Sequence, residues 1–250
     1  MQTNERLTAL YKAVTEGTYR VEGKRLYAPD ETWIYIGGNA PHLKIHGICG
    51  ETYFPDLLKL PRETLELLQL GWRASDEGNE KSRPFMSTTQ PWQVFAWTAA
   101  RYGELYIRVA LVNLTQEGVS VLVHFRANSW RQRWSKAEAV DLVVSHFRRG
   151  EWAPIITAWP GDGQTDRKKV LRGDYQLVIV AKEPWKLGIS IDTGKALVAT
   201  GKEAFEKLRE AAGTYGALLD LLKAHKWIEI KLATDDGFRA TLKLNRNEEY

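Results

Sequence analysis

Two stretches of this chain, LLQLGWRASDEG from Leu67 to Gly78 and IITAWPGDG from Ile155 to Gly163, share one design. Each is an apolar run of helical character that closes on a small residue, an acidic residue and a glycine. A pattern used twice constrains a fold strongly, because two such helices can pack on each other and present Asp76 and Asp162 at their C-terminal ends. Carboxylates at neighbouring helix ends can share divalent metal ions, which suits phosphodiester chemistry.

The rest of the chain is ordered around these two runs. Residues 2 to 16 read as an amphipathic helix with Leu7, Leu10, Tyr11 and Val14 on one face, closed by Gly17. Short alternating segments follow (TYRV, RLYA, TWIYI, HLKIH, ETYF), predicting a small sheet. Pro61 then opens the first motif helix, with Leu65, Leu67, Leu68, Leu70 and Trp72 supplying its apolar residues. Strands are expected from Trp92 (WQVFAWTA), Glu104 (ELYIRVALV) and Val119 (VSVLVHFRA). Ser135 and Glu138 form a capping box that starts a helix running to about Arg149.

After the second motif, whose apolar residues are Trp152, Ile155, Ile156 and Trp159, YQLVIVAK reads as a strand. A helix capped by Thr200 and Glu203 follows, with Gly213 and Gly216 as kinks or close-packing points. WIEIKLATDDGFRATLKL, from Trp227 to Leu244, reads as a hairpin about Asp236-Gly237. This order predicts an α+β protein divided into a helix-plus-sheet arm at 1–60 and two similar halves at 61–150 and 151–250.

Composition narrows the function classes. Hydrophobic residues make up 44% and charged residues 26% of the 250, so a folded core is expected rather than disorder. No apolar run reaches the roughly 18 residues that span a bilayer and the start carries no apolar signal core, which predicts a cytoplasmic protein without a membrane partner. Cys49 is the only cysteine, excluding an intramolecular disulfide and a cysteine-based zinc site. Few Met and Cys amid dense charge of both signs fit a thermophile. Net charge is only +4, yet residues 126–172 hold ten Lys/Arg against five Asp/Glu, so positive charge gathers around the second motif.

In their helix-then-strands setting, the two motif segments resemble the paired signatures of the LAGLIDADG homing endonucleases. The chain more widely is similar to the Pyrobaculum paralogous repeat family (PaRep, 2b class), through LYAPDETWIYIGG, PHLKIHG, LLQLGWRASDEGN, STTQPWQVFAW, SWRQRW and KALVATGKEAFEKLRE. The endonuclease resemblance implies two αββαββα units related by an internal pseudo-two-fold in one monomer, with their sheets over double-stranded DNA. It also implies that the acidic residue closing each motif helix holds a catalytic Mg²⁺ or Mn²⁺ ion. That role falls on Asp162 in the second motif and on Asp76 or its neighbour Glu77 in the first. Lys182, ending the YQLVIVAK strand, corresponds to the strand-borne lysine of that family. The repeat-family resemblance implies a mobile-element origin, and with it the alternative of a descendant that binds DNA, or only folds, without cutting.

Candidate DNA contacts follow from residue type. RANSWRQRW sets Arg126, Arg131 and Arg133 among Trp130 and Trp134, a mixture able to clamp phosphates and stack on bases. Arg167, Lys168, Lys169 and Arg172 follow Asp162 closely, suiting backbone contact. Arg108 on a central strand, with Arg239 and Lys243 in the last hairpin, completes the set. His42 and His46 share a strand face, but Cys49 is the only other soft ligand nearby, so they read as ordinary strand residues. Pro160 falls inside the second run, where a proline costs about 3 kcal/mol unless the helix has already ended.

Overall fold

In a computed structural model, residues 3–37, 40–44, 48–115, 118–165, 176–180, 196–200 and 202–234 are described. Helix α1 (Thr3–Glu16) leads into strands β1 (Arg20–Glu22), β2 (Arg25–Tyr27), β3 (Trp33–Gly37), β4 (Ala40–Lys44) and β5 (Cys49–Phe54). Helix α2 (Arg62–Ala74), strands β6 (Gly78–Glu80) and β7 (Arg83–Thr88), helix α3 (Pro91–Ala100), strands β8 (Gly103–Thr115) and β9 (Gly118–Ala127) and helix α4 (Lys136–Arg148) come next. Helix α5 (Ile155–Asp162), strands β10 (Gly163–Thr165), β11 (Gln176–Val180) and β12 (Ala196–Thr200), and helices α6 (Lys202–Leu221) and α7 (His225–Thr234) complete the described elements. The class is α+β.

Two compact units divide the chain, and they interleave. The first takes residues 1–52, 87–89 and 106–125; the second takes 53–86, 90–105 and 126–250. Sequence boundaries at 60 and 150 cut differently, because β7, β8 and β9 each contribute residues to both units and no linear division can follow that.

In the first unit the sheet order is β1-β2-β3-β4-β8-β9-β7, with β5 also paired to β8. Helix α1 covers one face of its N-terminal part: Leu10 and Ala13 meet Leu26, Ala28 and Ile34 in a closed cluster. Alternation dictates this face, since Leu26 pairs with Ile34 in register while their neighbours turn the other way. Gly17 ends α1 at φ +70, a conformation a side chain would strain.

The second unit holds β6 paired antiparallel to β7, the separate sheet β10-β11-β12, and helices α2 to α7. The capping box forms as expected: Ser135 Oγ accepts from the Glu138 amide at 3.1 Å and Glu138 Oε2 from the Ser135 amide at 2.7 Å. Gly213 breaks helical geometry inside α6, and Gly216 lies against Trp227.

Two strand expectations are corrected. WQVFAWTA is helix α3, opened by Pro91, and Trp92, Gln93 and Ala96 to Ala100 are all buried, so the run is apolar nearly all round and carries no period that separates helix from strand. WIEIKLAT is helix α7, with Trp227 and Ile230 buried one turn apart and the Trp227 indole N–H donating to Asp220 at 3.1 Å. The rest of that hairpin, with Asp236, Gly237, Arg239 and Lys243, lies outside the described residues.

Candidate functional site

Helix α2 buries Leu65, Leu68, Leu70 and Trp72, and helix α5 buries Ile155, Ile156, Ala158 and Trp159, so both motif runs are inside the second unit. They pack on each other through absent side chains. A β-carbon built at Gly71 would overlap Pro154 O and Thr157 Oγ1 and lie 2.9 Å from the Ala158 nitrogen. One built at Gly161 would sit 2.6 Å from Ser75 Cβ and 3.4 Å from the Asp76 nitrogen. Thr157 Oγ1 closes the seam by donating to Leu68 O at 2.7 Å.

These contacts settle the relative direction of the helices. Residues 68 and 71 of α2 meet 154–158, while 75 and 76 meet 161, so both helices run the same way and their C-terminal ends abut. The last carbonyls of both helices are capped: Gly71 O and Trp72 O accept from Ser75, Trp159 O from the Gly163 amide and Gly161 O from Lys226. Asp162 is the last residue of α5 and Asp76 stands just past the Ser75 cap of α2; both are partly buried. The two acidic residues thereby stand at the same end of the helix pair.

Two further side chains stand there that sequence reasoning missed. Gln93 at the start of α3, almost fully buried, donates Nε2 to Asp76 Oδ2 at 2.9 Å. Lys226 on α7 donates Nζ to Gly161 O at 2.8 Å, beside Asp162. The misread strands at Trp92 and Trp227 hid both: only as helices do these segments aim Gln93 and Lys226 at the tips. Lys182 lies outside the described residues.

Glu77 is removed from the candidate ligands by its surroundings. It is 1% exposed, and its two oxygens accept from Arg101 Nε (2.9 Å), Arg101 Nη2 (2.7 Å), Trp97 Nε1 (2.8 Å) and Gln132 Nε2 (2.7 Å). Four donors leave this carboxylate no direction for a metal, and Arg101 at 1% exposure depends on it for neutralisation. Arg73 lies beside the pair, donating to Glu77 O at 2.9 Å and to Trp134 O at 3.0 Å, and burial holds its guanidinium below the ordinary arginine range. Asp76 is therefore the first-motif carboxylate at the tip.

Segment 126–134 is anchored more than sequence implied. The Trp130 indole donates to Tyr102 O at 2.6 Å and its ring packs edge-on against Tyr102, so it is a packing residue rather than a free stacking platform. Arg126 is partly buried, bonded to Asn128 at 3.0 Å and 3.7 Å from Glu80. Arg133 pairs with Glu66 and lies over Trp134. Arg131 is exposed. Arg108, exposed on β8, belongs to the first unit. Arg167, Lys168, Lys169 and Arg172 lie outside the described residues.

Pro160 does not end α5, which continues to Asp162. Its ring is buried, and its missing N–H forfeits one helical hydrogen bond just before the tip.

The carboxylates of Asp76 and Asp162 are the ligand type that suits Mg²⁺ or Mn²⁺, which keep several waters and need only one or two protein carboxylates, while Gly161 O beside them is taken by Lys226. Among the described residues no group of three or more His, Cys, Asp or Glu is placed to hold a metal. None of the described helices is long and apolar enough to cross a membrane. The chain matches no family model, no curated protein and no solved structure.

Proposed function

We propose that this chain is a LAGLIDADG-like DNA-binding protein of mobile-element origin, with a divalent-metal-dependent double-strand endonuclease centre at the paired helix tips. The observation that carries the reading is the same-direction packing of α2 and α5 through Gly71 and Gly161, which brings Asp76 and Asp162 to one end. The order α2-β6-β7-α3-β8-β9-α4 gives additional support, since it is the αββαββα order that the resemblance implies for one half.

A divalent ion bound there would polarise the scissile phosphate and lower the pKa of attacking water. This chain's residues do the rest. Gln93 holds Asp76 Oδ2 and so fixes the orientation of a carboxylate that would help hold such an ion. Lys226, anchored on Gly161 O, supplies fixed positive charge where phosphate charge develops. Arg131 and the basic run from Arg167 to Arg172 are the proposed backbone contacts.

The test is a nicking assay on a random-site plasmid library with Mg²⁺ and with Mn²⁺. Wild-type protein is expected to cut, and Asp162→Asn to lose at least about a hundredfold in rate while retaining duplex binding. Unchanged cutting in the variant removes Asp162 from the mechanism.

Lys226 favours a second reading, a DNA-binding descendant without hydrolysis, because its ammonium already offsets the charge at the tips. Under that reading wild-type protein shifts duplex DNA without nicking it. Lys226→Met then unfolds at lower temperature, and millimolar Mg²⁺ restores part of the loss.

A further inference from the structure

The sheet of the first unit has a second face that α1 does not cover. Register places Arg20 opposite Tyr27, Glu22 opposite Arg25, Arg25 opposite Tyr35, and Tyr27 opposite Trp33. These six side chains lie on one face of β1, β2 and β3, opposite the Leu26 and Ile34 that meet α1. Three aromatic rings and two guanidiniums on an open sheet face is not what burial or solubility requires, since a solvated face is ordinarily polar.

The six are not equivalent. Arg20 lies 4.5 Å from the Tyr27 ring centre and is tied to Glu31 at 2.6 Å and to Glu22 at 3.0 Å, so both carboxylates around this face are already matched to it. Arg25 lies 4.2 Å over Trp33, its charge is supported first by the Tyr27 hydroxyl and then by that of Tyr35, and it forms no ion pair among the described residues. Trp33 in turn meets Tyr35 edge-on at 5.8 Å, and Tyr35 is 42% exposed. Glu22, directly opposite Arg25, is bonded to Arg20 instead. Arg25 is thus left without an ion pair of its own, resting on an indole beside the exposed Tyr35 ring.

We propose that the outer face of β1–β3 is a stacking surface for single-stranded nucleic acid, in which Trp33 and Tyr35 take successive bases and Arg25 takes a backbone phosphate. Every base has a π-face, so aromatic rings on a sheet bind single strands with little sequence preference, and a guanidinium held by phenols rather than by a carboxylate supplies the charge complement. A duplex hides its base faces and cannot use these rings. In the free protein Arg25 occupies the position over Trp33 that a base would take. Binding exchanges the guanidinium for a base and moves it to phosphate. This face belongs to the first unit, so the inference is independent of the metal-site reading.

A fluorescein-labelled oligothymidylate of about 15 nucleotides, followed by anisotropy at two salt concentrations, is the test. Wild-type protein is expected to bind it, with Tyr35→Ala and Trp33→Ala each weaker by roughly tenfold or more, and Trp33→Phe close to wild type. Arg25→Ala should lower the salt slope by about 0.7, one phosphate on a single strand. Tyr35 is exposed, so its variant keeps the fold even if removal of Trp33 does not; thermal unfolding by circular dichroism confirms this. Asp162→Asn should bind the oligonucleotide as wild type does, whereas loss of nicking there bears only on the nuclease reading. The proposal is overturned if wild-type protein fails to bind at low salt, if Tyr35→Ala binds unchanged, or if Tyr35→Ala weakens duplex binding equally.

Discussion

At the scale of single residues, the most consequential choice in this chain is between two adjacent acids. Asp76 and Glu77 are chemically alike, yet one faces the helix tips and the other neutralises Arg101 inside the core. Glu77→Gln keeps the shape but leaves Arg101 buried and uncompensated, so a loss of about 3–5 kcal/mol is expected in denaturant unfolding. Tyr215 makes a second residue-scale prediction. Fully buried, it accepts from the Trp72 indole at 3.0 Å and donates to Ala96 O at 2.7 Å, and burial pushes its phenol well above the ordinary tyrosine range. A raised folded-state pKa means its contribution is complete below the unfolded value of about 10 and is lost as pH rises beyond it. Tyr215→Phe should therefore be less stable by about 1–3 kcal/mol at neutral pH, through the unpaired Trp72 N–H, yet decline less steeply above pH ~10. Parallel alkaline decline in both proteins would contradict this.

At the scale of elements, the α2–α5 seam rests on two glycines with different neighbours. Gly71 faces backbone atoms of α5, which have nowhere to go, whereas Gly161 faces mainly the Ser75 side chain. Gly71→Ala should accordingly cost more than Gly161→Ala, each within or above the roughly 1–3 kcal/mol typical of overpacking. Ser75→Gly should recover part of the second loss but none of the first, and a double-mutant cycle by chemical denaturation checks both. Helix α4 depends on its capping box: bonds from the Ser135 amide and side chain hold the Glu138 carboxyl below the usual carboxylate range. That contribution is present above the unfolded pKa of about 4.3 and vanishes as pH falls through the depressed folded value. Ser135→Ala should cost about 1 kcal/mol at neutral pH.

For the whole molecule, the relevant quantity is affinity for DNA as a function of salt. If the arginines and lysines around the second motif contact duplex phosphates, log K should fall against log salt with a slope of about −0.9 per phosphate. A flat dependence would leave the chain a folded remnant without nucleic-acid affinity. The interleaving of the two units gives this scale its own structural lesson. Strands β7, β8 and β9 serve both, so the divisions expected at 60 and 150 could not be found by reading composition along the chain.

What the sequence determined by itself was everything set by local chemistry. The α1 stripe, the five N-terminal strands, the Ser135 capping box and the kink at Gly213 all follow from period, caps and glycine. So did the two motif helices, whereas the glycines through which they touch, Gly71 and Gly161, stand at different places in the two runs and were revealed only by packing. Only the tertiary structure decided between Asp76 and Glu77, since the difference is which neighbours, Gln93 or Arg101, reach each carboxylate across the fold. It likewise decided that the segments at Trp92 and Trp227 are helices, because short apolar runs satisfy either period until burial against partners selects one. Gln93 and Lys226 came with that choice: a side chain's distance from a site is a property of packing, which no local pattern records.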